Sequence, residues 1–364
     1  MATSIKLGEH ISESSQQYAG SPRCTSRGTI SPSKQAPHAG GWQGEMAISK
    51  VFIDGSYGTT GLRIRERLEQ RDDIEVVVVD KDLRRDADER REALVNSDLA
   101  ILCLPDDAAV EAAGWAADSD TKIVDPSTAH RVADGWVYGL PEMTPGQRDA
   151  VRESDTVSNP GCYPTGVILC VRPLTEAGIL SKDAPITIHA LSGYSGGGKN
   201  LIAKWEGGQP DLAGLPFESP YALHTEHKHV PEMKKYSGLM YEPQFIPSVG
   251  PFLKGMRVEI PLHKSVIQKG ASAETICTLL SELYKDEPLV NVVSIDDALA
   301  YSDPAFDPQA RNDNDGLDIS VVPNALGHVL LIIQIDNLGK GASGAAIQNM
   351  NLMLGLPEHA GLTV

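Results

Sequence analysis

Lys50-Val51-Phe52-Ile53-Asp54 runs directly into Gly55-Ser56-Tyr57-Gly58-Thr59-Thr60-Gly61, and Leu62-Arg63-Ile64-Arg65-Glu66-Arg67-Leu68 follows. The first five residues read as a short β run and the last seven as an amphipathic helix. A second apolar run, Ile74 to Val79, ends at Asp80. Strand, glycine loop, helix and strand together make a dinucleotide-binding half unit. The spacing is G-x-x-G-x-x-G rather than G-x-G-x-x-G, but the physical demand is the same. Glycines let the backbone approach a pyrophosphate at a helix N-terminus, where unpaired N–H groups point outward. Gly55, Ser56, Tyr57, Gly58, Thr59, Thr60 and Gly61 are therefore the candidate cofactor loop. Glycine-rich βα turns also occur without a nucleotide, so the neighbouring stretches decide.

Those stretches repeat the rhythm. Ala87 to Asn96 reads as a helix and Leu99 to Leu104 as a strand closed by Pro105. An alanine-rich helix over Ala108 to Ala117 and a strand over Lys122 to Asp125 come next. Strands alternating with helices imply a parallel, doubly wound sheet, with ligands bound outside the carboxyl ends of its strands. Ser127 and Arg131 follow the last of these strands and are placed where a substrate would lie. A surface salt bridge is the plainer role for Arg131. Asp80 lies 19 positions after Gly61, near where an acid holds the ribose hydroxyls of NAD. Lys81, Arg84 and Arg85 follow at once and suit the 2′-phosphate of NADP, or a solvated helix start. The residues alone leave that choice open.

The whole chain has 364 residues and a net charge of −17, with 41% apolar and 22% charged residues. That is ordinary globular composition with room for about two domains. The acidic balance excludes a nucleic-acid or anionic-membrane surface as the main partner, and an anionic substrate would need a local basic cluster. No apolar run reaches the length of a membrane helix. The five cysteines are odd in number and unpatterned, which fits a reducing cytoplasm and no metal site. Residues 1–45 carry eight Ser, six Gly and three Pro with little apolar periodicity. They read as a disordered extension ahead of a natural beginning at Met46, and a transit peptide is the other reading.

The second half supplies the chemistry. Ser158-Asn159-Pro160-Gly161-Cys162-Tyr163-Pro164-Thr165 leads into the apolar run Gly166 to Val171. Pro164 reads as a helix start, which sets Cys162 just ahead of the N-terminus, where dipole and free N–H groups favour a thiolate nucleophile. A small core residue in a tight turn is the competing role. Pro185 to Leu191 alternates as a strand and opens onto Ser192 to Asn200. Gly193 to Lys199 matches most of a P-loop, but Asn200 stands where the magnesium-binding Ser or Thr belongs. His224, His227 and His229 lack a metal-site pattern, and His227 or His229 suits a general base beside the thiol. Met256 to Leu262 and Val329 to Ile335 read as strands, and Thr275 to Tyr284 as a helix. Their irregular rhythm predicts an α+β second domain with a largely antiparallel sheet.

With these stretches quoted, the sequence resembles the N-acetyl-γ-glutamyl-phosphate reductases of the short-subunit type, from about Met46 to the end. The most specific matches are Asn159 to Thr165 and Asp336-Asn337-Leu338-Gly339-Lys340-Gly341-Ala342-Ser343-Gly344-Ala345-Ala346. Gly55 to Gly61, Asp125 to Arg131, Ser192 to Lys199 and His227 to Glu232 match as well. The family is similar in architecture and covalent chemistry to aspartate-semialdehyde dehydrogenase and glyceraldehyde-3-phosphate dehydrogenase. The resemblance implies a Rossmann-type domain over 46–160 plus 338–364 and an α+β catalytic and dimerisation domain over 161–337. It implies NADPH-dependent reduction of N-acetyl-glutamyl 5-phosphate in arginine biosynthesis through a Cys162 thioester, by a cytoplasmic homo-oligomer, dimer or tetramer. His227, or else His229, would handle the proton, with His227 preferred. Asn337 and Gly341 would touch the cofactor, with Lys81 and Arg84 holding NADP rather than NAD. Ser127, Arg131, Ser195 and Gly196 would meet the substrate. Another acyl-phosphate reductase, of aspartyl or aminoadipyl type, and a non-enzymatic NADP-binding regulator are the alternatives.

Overall fold

The computed structural model describes residues 48–207, 215–300 and 306–364; the extension expected over 1–45 lies outside them. β1 (Ser49–Asp54) buries its last four residues. α1 (Thr59–Leu68) begins three residues earlier than its apolar pattern suggests. Gly58 is extended (φ −76°, ψ 172°) and serves as N-cap, and its carbonyl accepts the Leu62 N–H at 2.9 Å. Thr59, Thr60 and Gly61 are therefore the helix's first turn, with N–H groups that precede the first intrahelical bond.

β2 (Ile74–Val77), α2 (Ala87–Val95), β3 (Leu99–Leu102), α3 (Asp106–Trp115) and β4 (Lys122–Asp125) continue the winding. β5 (Val137–Tyr138), α4 (Gln147–Glu153) and β6 (Thr156–Ser158) complete it. The six strands lie in the order β2-β1-β3-β4-β6-β5 with every neighbour parallel. β1 sits between β2 and β3, so the chain reverses its winding there. The crevice at the carboxyl ends of β1 and β3 is where such sheets bind ligands.

α5 (Cys162–Glu176) crosses to the second sheet. Cys162 is its first residue rather than the one before it. Gly161 is the extended N-cap, and Thr165 donates to its carbonyl from both N–H and Oγ1. Pro164 then falls where a helix has no intrahelical acceptor to offer, so its missing N–H costs nothing. β7 (Thr187–Gly193), α6 (Gly198–Glu206), β8 (Ser219–Pro220), α7 (Val230–Ser237), β9 (Gln244–Gly250) and β10 (Met256–Leu262) follow. α8 (Ala273–Tyr284), β11 (Val290–Val293), α9 (Ile295–Ala300), β12 (Leu317–Pro323) and β13 (Val329–Ile335) end this half. Seven strands lie in the order β11-β12-β13-β10-β7-β9-β8. Four of the six neighbouring pairs are antiparallel, as expected, while β11 beside β12 and β7 beside β9 run parallel. The alternating apolar residues of β10 and β13 (Val258, Ile260, Leu331, Ile333) pack with Val167 and Leu174 of α5 in one core.

The chain then returns. A π-turn over Gly339–Ser343 leads into α10 (Gly344–Met353). Ala346, Ile347, Met350, Leu352 and Met353 share a core with Val51, Ile64, Leu99 and Val124 of the first sheet. Beside this return lies a buried ion pair: Lys340 Nζ donates to Glu142 Oε1 and Gln348 Oε1, both at 2.6 Å. Burial opposes the charge on Glu142, but Lys340 and then Gln348 outweigh it and hold its carboxyl below the usual range.

Candidate active site

The loop before Cys162 is held by three parts of the chain. Asn159 N–H donates to Asp125 O at 2.8 Å, at the end of β4. Its side chain donates to Ala342 O and accepts from Asn349 Nδ2, both on the C-terminal return. Gly161 has no room for a side chain. A Cβ there would stand 2.6 Å from Arg131 Nη1, 2.7 Å from Glu232 Oε1 and 2.8 Å from His229 Nε2. Those three groups thus converge on the residue before the thiol. Gly341 packs on the other side, where a Cβ would meet Cys162 Cβ at 2.9 Å.

Glu232 organises this corner. It is buried on α7 and accepts from Arg131 Nη1 (2.7 Å), Tyr138 Oη (2.7 Å) and Gly161 N–H (3.1 Å). Burial, then the Glu232 charge, keeps the Tyr138 phenol protonated as the donor. Arg131 also donates to Asn159 O and Pro126 O, so its charge is matched and its plane fixed. Glu232→Leu leaves that guanidinium buried and unpaired, which costs about 3–5 kcal/mol. Urea unfolding is expected to register a loss of that size; a loss below about 1 kcal/mol would mean Arg131 has another counter-charge.

The two histidines differ. His227 Nδ1 accepts the His229 backbone N–H at 3.2 Å. Its proton therefore sits on Nε2, which faces Tyr221 Oη at 3.3 Å, and Tyr221 in turn meets Tyr163 Oη at 3.2 Å. Both His227 nitrogens are committed. His229 is buried, its Nδ1 has no hydrogen-bond partner and its Nε2 lies against Gly161. Burial, then Lys228 and Arg131, lowers His227 to about 4. Burial, then Arg131, His227 and Lys228, holds His229 well below the usual range. The Cys162 thiol departs from the expected thiolate: burial pushes it up to about 11, against the Arg131 charge and the helix N–H groups. Thiol and neutral imidazole are therefore the resting pair, not thiolate and imidazolium.

One cavity of about 810 Å³ joins these groups to the first sheet. Thr59 and Thr60 line one end, and Cys162, His227 and His229 line the other. Arg131, Ser195, Gly196, Asn337 and Gly341 line it as well. Asn337 is fixed by accepting Gly255 N–H at 2.8 Å and donating to Ser195 Oγ at 3.0 Å. Ser127 lies outside this cavity's lining, beside the cleft at Gly58 to Gly61, and its hydroxyl donates to Asp125 Oδ2 at 2.6 Å. Gly55, Ser56, Tyr57 and Gly58 line a further cleft with Arg84, whereas Lys81 is an exposed turn residue whose carbonyl accepts from Arg84.

A dinucleotide fits the glycine loop. Gly55 has φ +78°, and a Cβ would stand 2.2 Å from Cys103 O; one on Gly61 would stand 2.4 Å from Gly55 O. Only glycine lets the loop close this tightly under the first turn of α1. The partial P-loop at Gly193 to Lys199 forms instead a 3₁₀ turn (Tyr194–Gly197) and the start of α6. Lys199 reaches across to the Tyr57 carbonyl. Among the described residues, no group of three or more His, Cys, Asp or Glu could hold a metal ion. Glu232, Tyr138 and Tyr221 were not singled out from sequence as site residues; the i+3 spacing of His229 and Glu232 astride the start of α7 was the available signal.

Residues 50–151 match the family described as semialdehyde dehydrogenase, NAD binding domain. Residues 162–337 match semialdehyde dehydrogenase, dimerisation domain. The N-acetyl-gamma-glutamyl-phosphate reductase of Trichormus variabilis is 50% identical over 322 residues, covering 87% of this chain and 100% of the relative. That of Burkholderia orbicola is 44% identical over 316 residues, covering 86% and 100%. Aspartate semialdehyde dehydrogenase II of Vibrio cholerae superposes with a TM-score of 0.64 at 14% identity, over 84% of this chain and 98% of its own, a likeness of fold. With half of all aligned positions shared along the full length of such a relative, the chain belongs to the N-acetyl-gamma-glutamyl-phosphate reductase family.

Proposed function

We propose that Cys162 carries the acyl group and His229 the proton in the reduction of an acyl phosphate. The reaction is the NADPH-dependent conversion of N-acetyl-L-glutamyl 5-phosphate to N-acetyl-L-glutamate 5-semialdehyde and phosphate, in arginine biosynthesis. His229 accepts the thiol proton as Cys162 Sγ bonds to the acyl carbon. The carbon–oxygen bond to phosphate breaks, phosphate takes a proton from water, and a thioester remains on Cys162. When bound, NADPH supplies the hydride that the thioester carbon accepts. His229 protonates the resulting thiohemiacetal oxygen, then takes that proton back as the C–S bond breaks. The sulfur regains the proton and the semialdehyde leaves. A neutral imidazole beside a protonated thiol suits these transfers, because it can both take and return the proton.

The observation that carries this reading is the single cavity that reaches from Thr59 and Thr60 to Cys162 and His229. His229 is preferred to His227 because its Nδ1 has no partner among the described residues, whereas both His227 nitrogens are engaged. We read the working form as a cytoplasmic homo-oligomer, a dimer or tetramer, with the cofactor domain over 46–160 plus 338–364 and the catalytic domain over 161–337. The test runs the reaction in reverse: N-acetyl-glutamate semialdehyde, phosphate and NADP, followed by NADPH absorbance. Phosphate-dependent signal is expected. Signal with aspartate semialdehyde alone would replace the substrate. Gly61→Ala is expected to raise the KM for NADPH at least about tenfold, equal to ~1.4 kcal/mol, because its Cβ would displace Gly55 O. An unchanged NADPH fluorescence titration would remove the loop from the cofactor site.

A further inference from the structure

We infer that Lys228 is the cation that receives the phosphate group of the acyl-phosphate substrate. The inference rests on the acyl-phosphate reading above and adds a residue to it. A dianionic group entering a protein of net charge −17 needs an unmatched positive charge at the reacting carbon. Four basic side chains line the cavity that holds Cys162: Arg131, His227, Lys228 and His229. The two imidazoles are held neutral. Arg131 is matched by Glu232 and spends three of its N–H groups on Glu232, Asn159 O and Pro126 O.

Lys228 differs from all three. It lies between the two histidines, exposed on the cavity side of the loop that precedes α7. Among the described residues it has no ion pair and no side-chain hydrogen bond. Asp106 lies within electrostatic reach of Lys228 but forms no ion pair with it, and its two oxygens accept from Thr128. Lys199, which lines the neighbouring clefts, is held by the Tyr57 carbonyl at the glycine loop. An ammonium on a four-carbon stem also suits a ligand that must leave once the thioester forms, because it turns its donors without a fixed geometry.

The experiment is the reverse reaction at saturating NADP, with inorganic phosphate and semialdehyde varied in turn. Lys228→Gln is expected to raise the KM for phosphate about tenfold or more, the loss of one charge-assisted bond, with the semialdehyde KM within about twofold of wild type. Lys228→Arg should keep most of the phosphate affinity. A rise confined to the semialdehyde KM would assign Lys228 to the substrate carboxylate and overturn the inference. No change in either constant would overturn it too, leaving a solvated surface lysine. Absence of phosphate-dependent turnover in wild type would instead overturn the acyl-phosphate reading itself.

Discussion

Cys162→Ser is expected to lower turnover by roughly four orders of magnitude or more, the scale on which deleted nucleophiles act, while NADPH titration stays as in wild type. The hydroxyl is isosteric enough for the first residue of α5, and the Gly341 contact is to Cβ, which serine keeps. What disappears is the thioester, because a serine hydroxyl stays protonated and weakly nucleophilic at neutral pH and an alkoxide is a poor leaving group. The thiol has its own signature. With burial raising it to about 11, the thiolate fraction grows with every pH step below that value. Inactivation by iodoacetamide should therefore accelerate steadily from pH 7 to 10. A plateau reached below pH 8 would show a thiolate already formed at rest and would remove the need for a base.

His229→Asn is expected to cut kcat by about 10²–10⁴-fold, the range of a positioned acid–base group. His227→Asn is expected to cost less than about tenfold. The two rings lie 4.8 Å apart, centroid to centroid, so distance alone does not separate them. Their hydrogen bonds do: His227 is tied to the His229 N–H and to Tyr221, whereas His229 Nδ1 has no partner among the described residues. Kinetics of the two variants against acyl phosphate decide the matter. A larger loss in the His227 variant would transfer the proton to that ring and make His229 a packing residue.

Much of this was legible in the chain itself. β4, β10 and β13 fall on the residues their apolar patterns mark, because each is a short β run with sharp ends. The glycine loop was legible because close backbone approach leaves few residues to choose from. Other features were hidden for physical reasons. The early starts of α1 and α5 depend on extended caps at Gly58 and Gly161, which hydrophobic periodicity does not register. The parallel pairing of β7 with β9 is a matter of crossover, not of composition. Glu232 became visible only when Arg131, 101 positions away, folded against it. The raised thiol belongs to the same group, since burial is a property of the assembled cavity.

The C-terminal return of α10 has a consequence for synthesis on the ribosome. Five of the fifteen buried residues in its core are Ala346, Ile347, Met350, Leu352 and Met353, and the other ten are made earlier. β1 leaves the ribosome roughly 290 residues ahead of α10. At about 5–20 residues per second, that is a wait of roughly 15–60 s. Throughout it, the nascent sheet shows an apolar face whose cover has not yet been translated. The cofactor half, first to be made, is thus last to be finished.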